Sequence, residues 1–489
     1  MTCGRGRGRP APSCFLLVRL RPETAAGRRT RLGPRALADK GESPENGRAP
    51  GPDANTSARP TVSATKGDTM LAPRVVILGS GFAGLETAFL LRTKLDKADA
   101  EITVVSDRDE FLFKPNTIYL PFGTAEKPLH VPLRKAFDYH DIHHRIGHFE
   151  GVDPERAVVH TSRGLPIHYD KLVIATGAGM AEDEIPGLRQ HGHQIWTPGQ
   201  MHRLGEDLQW VVQDARHGHE QKVLFLVPPG NKCAGPLYEI AFMLDTWLRR
   251  KDVRHQVEIT FTTYEQSFIQ AFGPKLHEVV TEEFATRSIT GHTAVTPDKV
   301  TETEVSYSDG VTRQFDVLIT FPPYVAGVRY DGLPADDRGF LTCEPETRAV
   351  LDYPDIFAPG DAGDFPVKQA FLALLQADAV ANKIVADFTG RTPHGLFEPT
   401  SMCVMEMFDK ATFAQVPLRL TDDEASPVAV DLEAADEYRV GTNATWRLGK
   451  KVLGLYLPAR FRHGKPFHAG AGWQVMETGL RAGSRLLAH

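Results

Sequence analysis

At 489 residues the chain is too long for one compact core, so two or three domains are expected. Apolar residues make up 41 % and charged residues 24 %, the balance of an ordinary globular protein, and no run of eighteen apolar residues reads as a membrane span. A net charge of −6 gives no reason to expect a nucleic-acid partner, and five cysteines are too few for a disulfide framework.

Residues 1–70 are rich in Arg, Pro, Gly and Ala without a periodic apolar face, which predicts a disordered extension. Its arginines, Arg5, Arg7, Arg9, Arg19 and Arg21 among them, resemble those of a transit peptide. The plainer reading starts the protein at Met70 and leaves Cys3 and Cys14 without a role. Order begins with RVVILGSGFAGLETAFLLRTKL, where residues 75–78 predict a short buried strand and Gly79, Gly81 and Gly84 complete G-x-G-x-x-G ahead of a helix. Such a triplet serves a tight turn, close approach of backbone to a pyrophosphate, and close helix–strand packing, while the helix N-terminus faces the phosphates. A strand over 101–105 then ends in Ser106 and Asp107, about where a ribose-binding acid is expected. Together these features point to a bound dinucleotide.

The aromatic connection FLFKPNTIYLPFG is followed by His140, His143, His144 and His148. No acid or cysteine has ligand spacing with these histidines, so they read as a solvated strand edge rather than a metal site. Segments 158–160 and 167–169 flank Gly164 as hairpin strands, and KLVIATG is a buried strand ending in the small turn of Thr176 and Gly177. A second α/β unit contains VLFLVPPGNKCAGPLYEIAFMLD: a buried strand over 223–227, a break at Pro228, Pro229 and Gly230, and a helix over 237–250. Its loop lacks G-x-G-x-x-G and carries Cys233. Further strands are expected over 257–262, 305–307 and 316–320, the last straddling a domain boundary.

In DIFAPGDAGDFPVKQAFLALLQADAVANKIV a strand end precedes a turn at Gly360 and Asp361 and an apolar-faced helix over 368–385. Taken alone, Asp361 reads as a helix-proximal cap. Near the C-terminus, WRLGKKVLGLYLPARFRHGKPF mixes apolar side chains with Arg447, Lys450, Lys451, Arg460, Arg462 and Lys465. That mixture suits a membrane surface and a helix pair packed on the domain equally well.

GSGFAGLE, KLVIATG and IFAPGDAGDFPVKQAFLALLQADAVANKI, in that order, resemble the flavin disulfide-reductase superfamily, specifically its branch of sulfide:quinone oxidoreductases and flavocytochrome c sulfide dehydrogenases. The resemblance spans about residues 74 to 460. It implies an α/β fold with two Rossmann-like dinucleotide-binding domains, the second inserted into the first. The expected order is FAD domain 71–185, second domain 186–317, FAD domain resumed over 318–390, and a C-terminal interface or membrane-facing region 391–489. It also implies an FAD cradle of Gly79, Gly81, Gly84, Ser106, Asp107, Thr176, Gly177 and Gly360. Asp361 would meet the ribityl chain, and Lys368 would lie by the pyrimidine end of the flavin, where a cation stabilises the anionic reduced ring.

The similar type II NADH:quinone dehydrogenases keep an intact second glycine loop. Here Lys232 and Cys233 put bulk where a pyrophosphate would touch backbone, and Leu237 replaces a packing glycine, so NADH is disfavoured. In the sulfide-oxidising branch a cysteine followed by G-P-x-Y-E occupies this loop, which fits Cys233 through Glu239, and Cys403 in SMCVMEM fits the second redox cysteine. The resemblance thus implies a catalytic pair, Cys233 and Cys403, with Glu239 as a proton shuttle or, more plainly, a helix-N-terminal acid. Cys343 reads as a buried small hydrophobe. Where some relatives carry a third cysteine this chain has Trp196, and where others carry a histidine it has Gln270. No cysteine in FLFKPNTIYLPFG offers a covalent tether, so FAD is expected to be non-covalent and no metal is expected.

The expected activity is sulfide oxidation through the cysteine pair, with two electrons passing by way of FAD to a quinone. Alternatives are a flavocytochrome c-type sulfide dehydrogenase subunit, a type II NADH:quinone dehydrogenase-like enzyme and a non-catalytic sulfur sensor or carrier. Expected partners are sulfide and a quinone and no nucleic acid, with C-terminal membrane contact and a homodimer left open. The expected location is the cytoplasmic side of a membrane, peripherally bound, or the cytoplasm.

Overall fold

The apolar run RVVIL forms strand β1 (Arg74–Leu78) of a computed structural model that describes residues 72–423 and 426–488. The expected N-terminal extension, with Cys3 and Cys14, lies outside the described residues. After β1 the chain turns at Gly79, where φ is +106°, into α1 (Phe82–Lys94). A Cβ on Gly84 would stand 2.0 Å from the Gly79 carbonyl oxygen, so only glycine lets α1 pack this close to the turn. Strands β2 (Glu101–Ser106), β3 (Ile142–Ile146) and β4 (Lys171–Ile174) join β1 in parallel. The histidine-rich segment runs from His140, the last residue of a short helix, across and past the edge strand β3, with His143 and His148 exposed and His144 turned back to Ser106.

A second sheet follows, built from β5 (Gly192–Gln194), α2 (Pro198–Arg216), β6 (Gln221–Val227), α3 (Gly235–Arg250), β7 (Val257–Thr263), α4 (Gly273–Arg287), β8 (Ile289–His292) and β9 (Val317–Thr320). Its five strands run in parallel in the order β5-β9-β6-β7-β8. Central β6 is covered on both faces, which is why it reads as a continuous apolar run rather than an alternation. Helix α3 begins at Gly235, two residues before the apolar period suggests, because Pro236 occupies the first turn, where a missing N–H costs nothing. Strand β9 belongs wholly to this second sheet.

The chain then returns to the first sheet with β10 (Ala349–Val350) and β11 (Tyr353–Phe357), giving the six-stranded order β10-β11-β4-β1-β2-β3. Helix α5 (Ala370–Thr389) packs along α1. It starts at Ala370 rather than Lys368 because Gln369 is extended and the Lys368 N–H is drawn to the Lys232 carbonyl at 3.1 Å.

The C-terminal region is a four-stranded antiparallel sheet, β12 (Thr400–Glu406), β13 (Ala411–Leu420), β14 (Val428–Val430) and β15 (Arg439–Asn443), followed by α6 (Ala444–Arg462) and α7 (Ala471–Leu487). Helix α6 is two-sided. Leu457 and Phe461 are buried against the first sheet's core, with Phe461 edge-on to Phe111, whereas Leu448, Val452 and Leu455 are 63 %, 49 % and 75 % exposed. Among the described residues no helix is long and apolar enough to cross a membrane.

Candidate functional site

In open parallel sheets a ligand sits beyond the carboxyl ends of the strands. There the loops after β1, β4 and β6 and the turn after β11 enclose a cavity of about 600 Å³. Gly79, Gly81, Asp107, Thr176, Gly177, Asp361 and Lys368 all line it. A Cβ added to Gly81 or to Gly177 would meet nothing within 4 Å, so the backbone at both positions faces open space that a ligand can enter. Arg108 grips the Asp107 carboxylate through two bonds of 3.0 and 2.9 Å, holding its pKa below the ordinary value and keeping it anionic.

Three residues expected in the cradle act from beneath the wall. The Ser106 hydroxyl donates to the Arg108 carbonyl at 2.7 Å and pairs with His144 Nε2 at 2.8 Å. Gly84 packs against Gly79, and Gly360 fits between Ala83 and Ala373, donating its N–H to Gln376 at 2.8 Å. Thr176 reaches the cavity and accepts the Tyr330 hydroxyl at 3.1 Å.

Asp361 lies between two lysines. Burial raises its pKa, and Lys368 and Lys114 oppose the rise. Burial likewise brings Lys368 down to about 8; its ammonium donates to the Gly363 carbonyl and stands 3.9 Å from the Phe340 ring centroid. Lys114, brought to about 8 by the same cause, sits 3.2 Å from the centroid of the Trp196 ring. The sequence reading passed over Lys114. Its signal was a lone cation inside an aromatic, proline-containing stretch.

Cys233 is carried by the loop after β6. Its N–H donates to the Asn231 side chain at 2.9 Å, and that side chain donates in turn to the Phe321 carbonyl at 2.8 Å. The Lys368–Lys232 bond ties this loop to the turn bearing Asp361. Cys403 arrives from β12, 170 positions later, and both half-buried sulfurs line the same cavity. Burial pushes both thiols up, Cys403 to about 12, and Cys233 is raised further by Cys403 and Asp361.

Beside Cys403, the buried Glu239 carboxylate accepts the Glu406 N–H at 2.7 Å and the Lys450 ammonium. Burial raises Glu239, and Lys450 holds the rise in check. Lys450 and Arg447, which read as surface cations, thus turn inward, Arg447 to the fully buried Glu406 at 2.7 Å. Cys343 is apart from this site, buried and donating to the Leu341 carbonyl at 3.1 Å. Trp196 lines the cavity, whereas Gln270 closes a turn on Glu265 at 3.0 Å.

Comparison with known proteins bears on this geometry. A family model described as pyridine nucleotide-disulphide oxidoreductase matches residues 73–212. The sulfide-quinone reductase of Aquifex aeolicus is 26 % identical over 367 residues, covering 70 % of this chain and 83 % of that protein. The mitochondrial sulfide:quinone oxidoreductase of Dictyostelium discoideum is 22 % identical over 363 residues, covering 72 % and 80 %. The X-ray structure of the Aquifex aeolicus sulfide:quinone oxidoreductase superposes with a TM-score of 0.72 at 23 % identity, over 84 % of this chain and 96 % of that one. These matches support a likeness to the pyridine nucleotide-disulphide oxidoreductases, on their sulfide:quinone oxidoreductase branch.

This oxidoreductase is a flavoprotein whose cofactor is FAD. The residues fit it: Gly81 and Gly177 open onto the cavity where side chains would block a pyrophosphate, and Asp107 is held anionic where a ribose is to be met. Asp361 and Lys368 line the same cavity.

Proposed function

We propose that this protein oxidises sulfide through Cys233 and Cys403 and reduces a quinone, with FAD held non-covalently in the cradle of Gly79, Gly81, Asp107, Thr176, Gly177 and Asp361. The observation that carries the reading is the convergence of the two cysteines, from loop and strand 170 positions apart, on the cavity that the glycine cradle also lines.

Hydrosulfide attacking a Cys233–Cys403 disulfide forms one S–S bond and breaks another. The sulfide sulfur stays on one cysteine as a persulfide, and the other cysteine leaves as a thiolate. Bound FAD would supply the two-electron acceptor that links this thiolate to the quinone. Lys368 and Lys114 supply positive charge near Asp361, where negative charge on a reduced ring is to be balanced. Lys450 opposes the burial of Cys403 and so favours its anion, while Glu239 holds or releases a proton beside it. A nicotinamide donor is disfavoured, because Lys232 and Cys233 occupy the loop where its pyrophosphate would sit, and Arg338 packs 2.7 Å from where a Cβ on Gly230 would stand.

The cavity wall also includes the apolar Leu453 and Leu457 of α6 and Trp473 and Leu480 of α7. The outer faces of the same helices expose Leu448, Val452, Leu455, Val475 and Leu486 beside Lys451 and Arg485. This reading places the helix pair on the cytoplasmic surface of a membrane, from which a lipid-dissolved quinone enters.

The test is an anaerobic titration of the purified yellow protein. Sulfide should bleach the flavin band and NADH should not, and decylubiquinone should restore the band faster than cytochrome c does. Bleaching by NADH alone, or reoxidation by cytochrome c but not by the quinone, overturns the reading.

A further inference from the structure

A cluster of titratable side chains lies outside the cysteine site, where α1, α5 and the segment between α6 and α7 meet. Glu86 of α1 is fully buried and accepts the Phe467 N–H at 2.9 and 2.6 Å on its two oxygens and the His468 N–H at 3.2 Å. Asp378 of α5 holds the His468 ring through Nδ1. One ligand-type atom from each of the three residues lies within 4.8 Å of the others. Three buried polar atoms in this neighbourhood have no hydrogen-bond partner: Asp378 Oδ1, His468 Nε2 and the Tyr456 hydroxyl.

Two carboxylates facing each other, Glu86 fully buried and Asp378 with a side chain 20 % exposed, favour a compensating cation, and a proton held between them also supplies a missing donor. Burial and the Asp378 charge both raise the Glu86 pKa well above its ordinary value. A metal ion fits less well. The Glu86 oxygens already take three backbone N–H bonds, and His468 Nδ1 is in direct contact with Asp378, which leaves room for a proton between the ligands and little for an ion. The other charged or titratable groups around the cluster are Lys94 on α1, which feels Asp378, and Tyr456 on α6, which feels Glu86. Arg460, also on α6, is committed to the Pro466 and Ala469 carbonyls at 2.9 and 2.6 Å.

The location gives this proton a use. The His468 ring is boxed by Phe371, Phe467 and Trp473, with centroids at 5.5, 4.7 and 4.6 Å, and all three of these aromatic residues line the cavity. His468 therefore stands one side-chain layer behind the wall that a quinone would touch. Reducing a quinone to a quinol takes up two electrons and two protons. A reduced flavin would supply the electron pair and one proton, and the second proton would come from the protein.

We propose that Glu86, Asp378 and His468 form a buried proton-holding site that supplies one of the two protons of quinone reduction, an inference that rests on the quinone reading above. The proton passes through His468 toward the cavity, and the cluster regains one from solvent after quinol leaves.

The test uses flavin-loaded protein reduced with dithionite, so the outcome does not depend on sulfide being the donor, and follows reoxidation by decylubiquinone in stopped flow. Asp378→Asn and His468→Gln should slow reoxidation about 100-fold and remove its solvent deuterium effect, while sulfide bleaching of the oxidised flavin keeps the wild-type rate. The infrared difference spectrum should lose a protonated-carboxyl band in Glu86→Gln and Asp378→Asn. Should His468→Gln fail to fold, Asp378→Asn carries both readouts. Reoxidation rates and isotope effects equal to wild type in flavin-loaded variants overturn the proposal, as does one equivalent of divalent metal that the wild type retains and Asp378→Asn lacks. A wild type that decylubiquinone cannot reoxidise overturns this proposal and the quinone reading together, whereas a wild type that sulfide cannot bleach overturns the sulfide reading alone.

Discussion

Lys450 closes its ammonium on the Glu239 carboxylate in the cavity wall and donates to the Val404 carbonyl at 2.8 Å, one residue from Cys403. Both side chains are about nine-tenths buried, so the pair is poorly screened by solvent. Lys450→Met strands the carboxylate and should destabilise the protein by about 3 kcal/mol in urea melts. With the cation gone Glu239 keeps its proton to higher pH and the Cys403 thiol rises further. Glu239→Gln combined with Lys450→Met should recover most of the lost stability, and an additive double mutant would show that the two groups are not coupled.

The cysteine pair predicts a division between half-reactions. Cys233→Ser or Cys403→Ser should slow flavin bleaching by sulfide about 1000-fold, as expected when one member of an interdependent catalytic set is removed, with reduction by dithionite unaltered. Cys343→Ala should leave sulfide bleaching at the wild-type rate and cost about 1 kcal/mol of stability, because that thiol is buried away from the cavity. An unchanged rate in Cys233→Ser would remove the disulfide from the mechanism.

The glycine loop separates binding from folding. A side chain at Gly81 meets open cavity, so Gly81→Val should yield a folded but colourless protein with unaltered far-ultraviolet dichroism. A Cβ at Gly84 lands 2.0 Å from the Gly79 carbonyl oxygen, so Gly84→Ala should lower the melting temperature by several degrees or abolish folding. Equal flavin content in Gly81→Val and wild type would place the pyrophosphate elsewhere.

Lys368 gives a pH prediction with a definite sign. It is 3 % exposed and titrates at about 8 in the folded protein, below its ordinary value of 10.5. The unfolded chain therefore holds the proton to higher pH than the folded one, and stability rises as pH climbs from about 8 toward 10.5. In flavin-stripped protein, Lys368→Met should be the more stable form at pH 7.5, and its advantage over wild type should shrink by about 1–3 kcal/mol by pH 10. A difference independent of pH would mean that Lys368 keeps its ordinary pKa.

The sequence announced the two parallel sheets because their strands are continuous apolar runs ended by glycine turns, as at 75–78 and 223–227. Strand β12 escaped notice because Cys403, Met402 and Met405 have no strong strand preference and its partner β13 follows a short turn without glycine or proline. The cysteine pair was legible through the resemblance. Its surroundings were not, since Lys450, Arg447 and Lys114 resemble solvated cations until the fold supplies the buried carboxylates Glu239 and Glu406 and the ring of Trp196. Glu86 likewise looked like an ordinary polar residue of α1, because its partners Phe467 and His468 lie more than 380 positions away.

The exposed face of α6 supports a last prediction. Leu448, Val452 and Leu455 fall at i, i+4 and i+7 and so share one stripe, while the buried Leu457 and Phe461 anchor the opposite side of the helix to the first sheet. Replacing exposed apolar residues by aspartate should therefore leave the core intact, with Val452→Asp combined with Leu455→Asp changing stability by no more than about 0.5 kcal/mol per site. The same change removes apolar groups that would enter a headgroup boundary and adds negative charge facing anionic lipid. Co-sedimentation with vesicles containing anionic lipid should fall at least about tenfold, while flavin bleaching by sulfide stays at the wild-type rate. Undiminished vesicle binding by the double variant would move the membrane contact off α6.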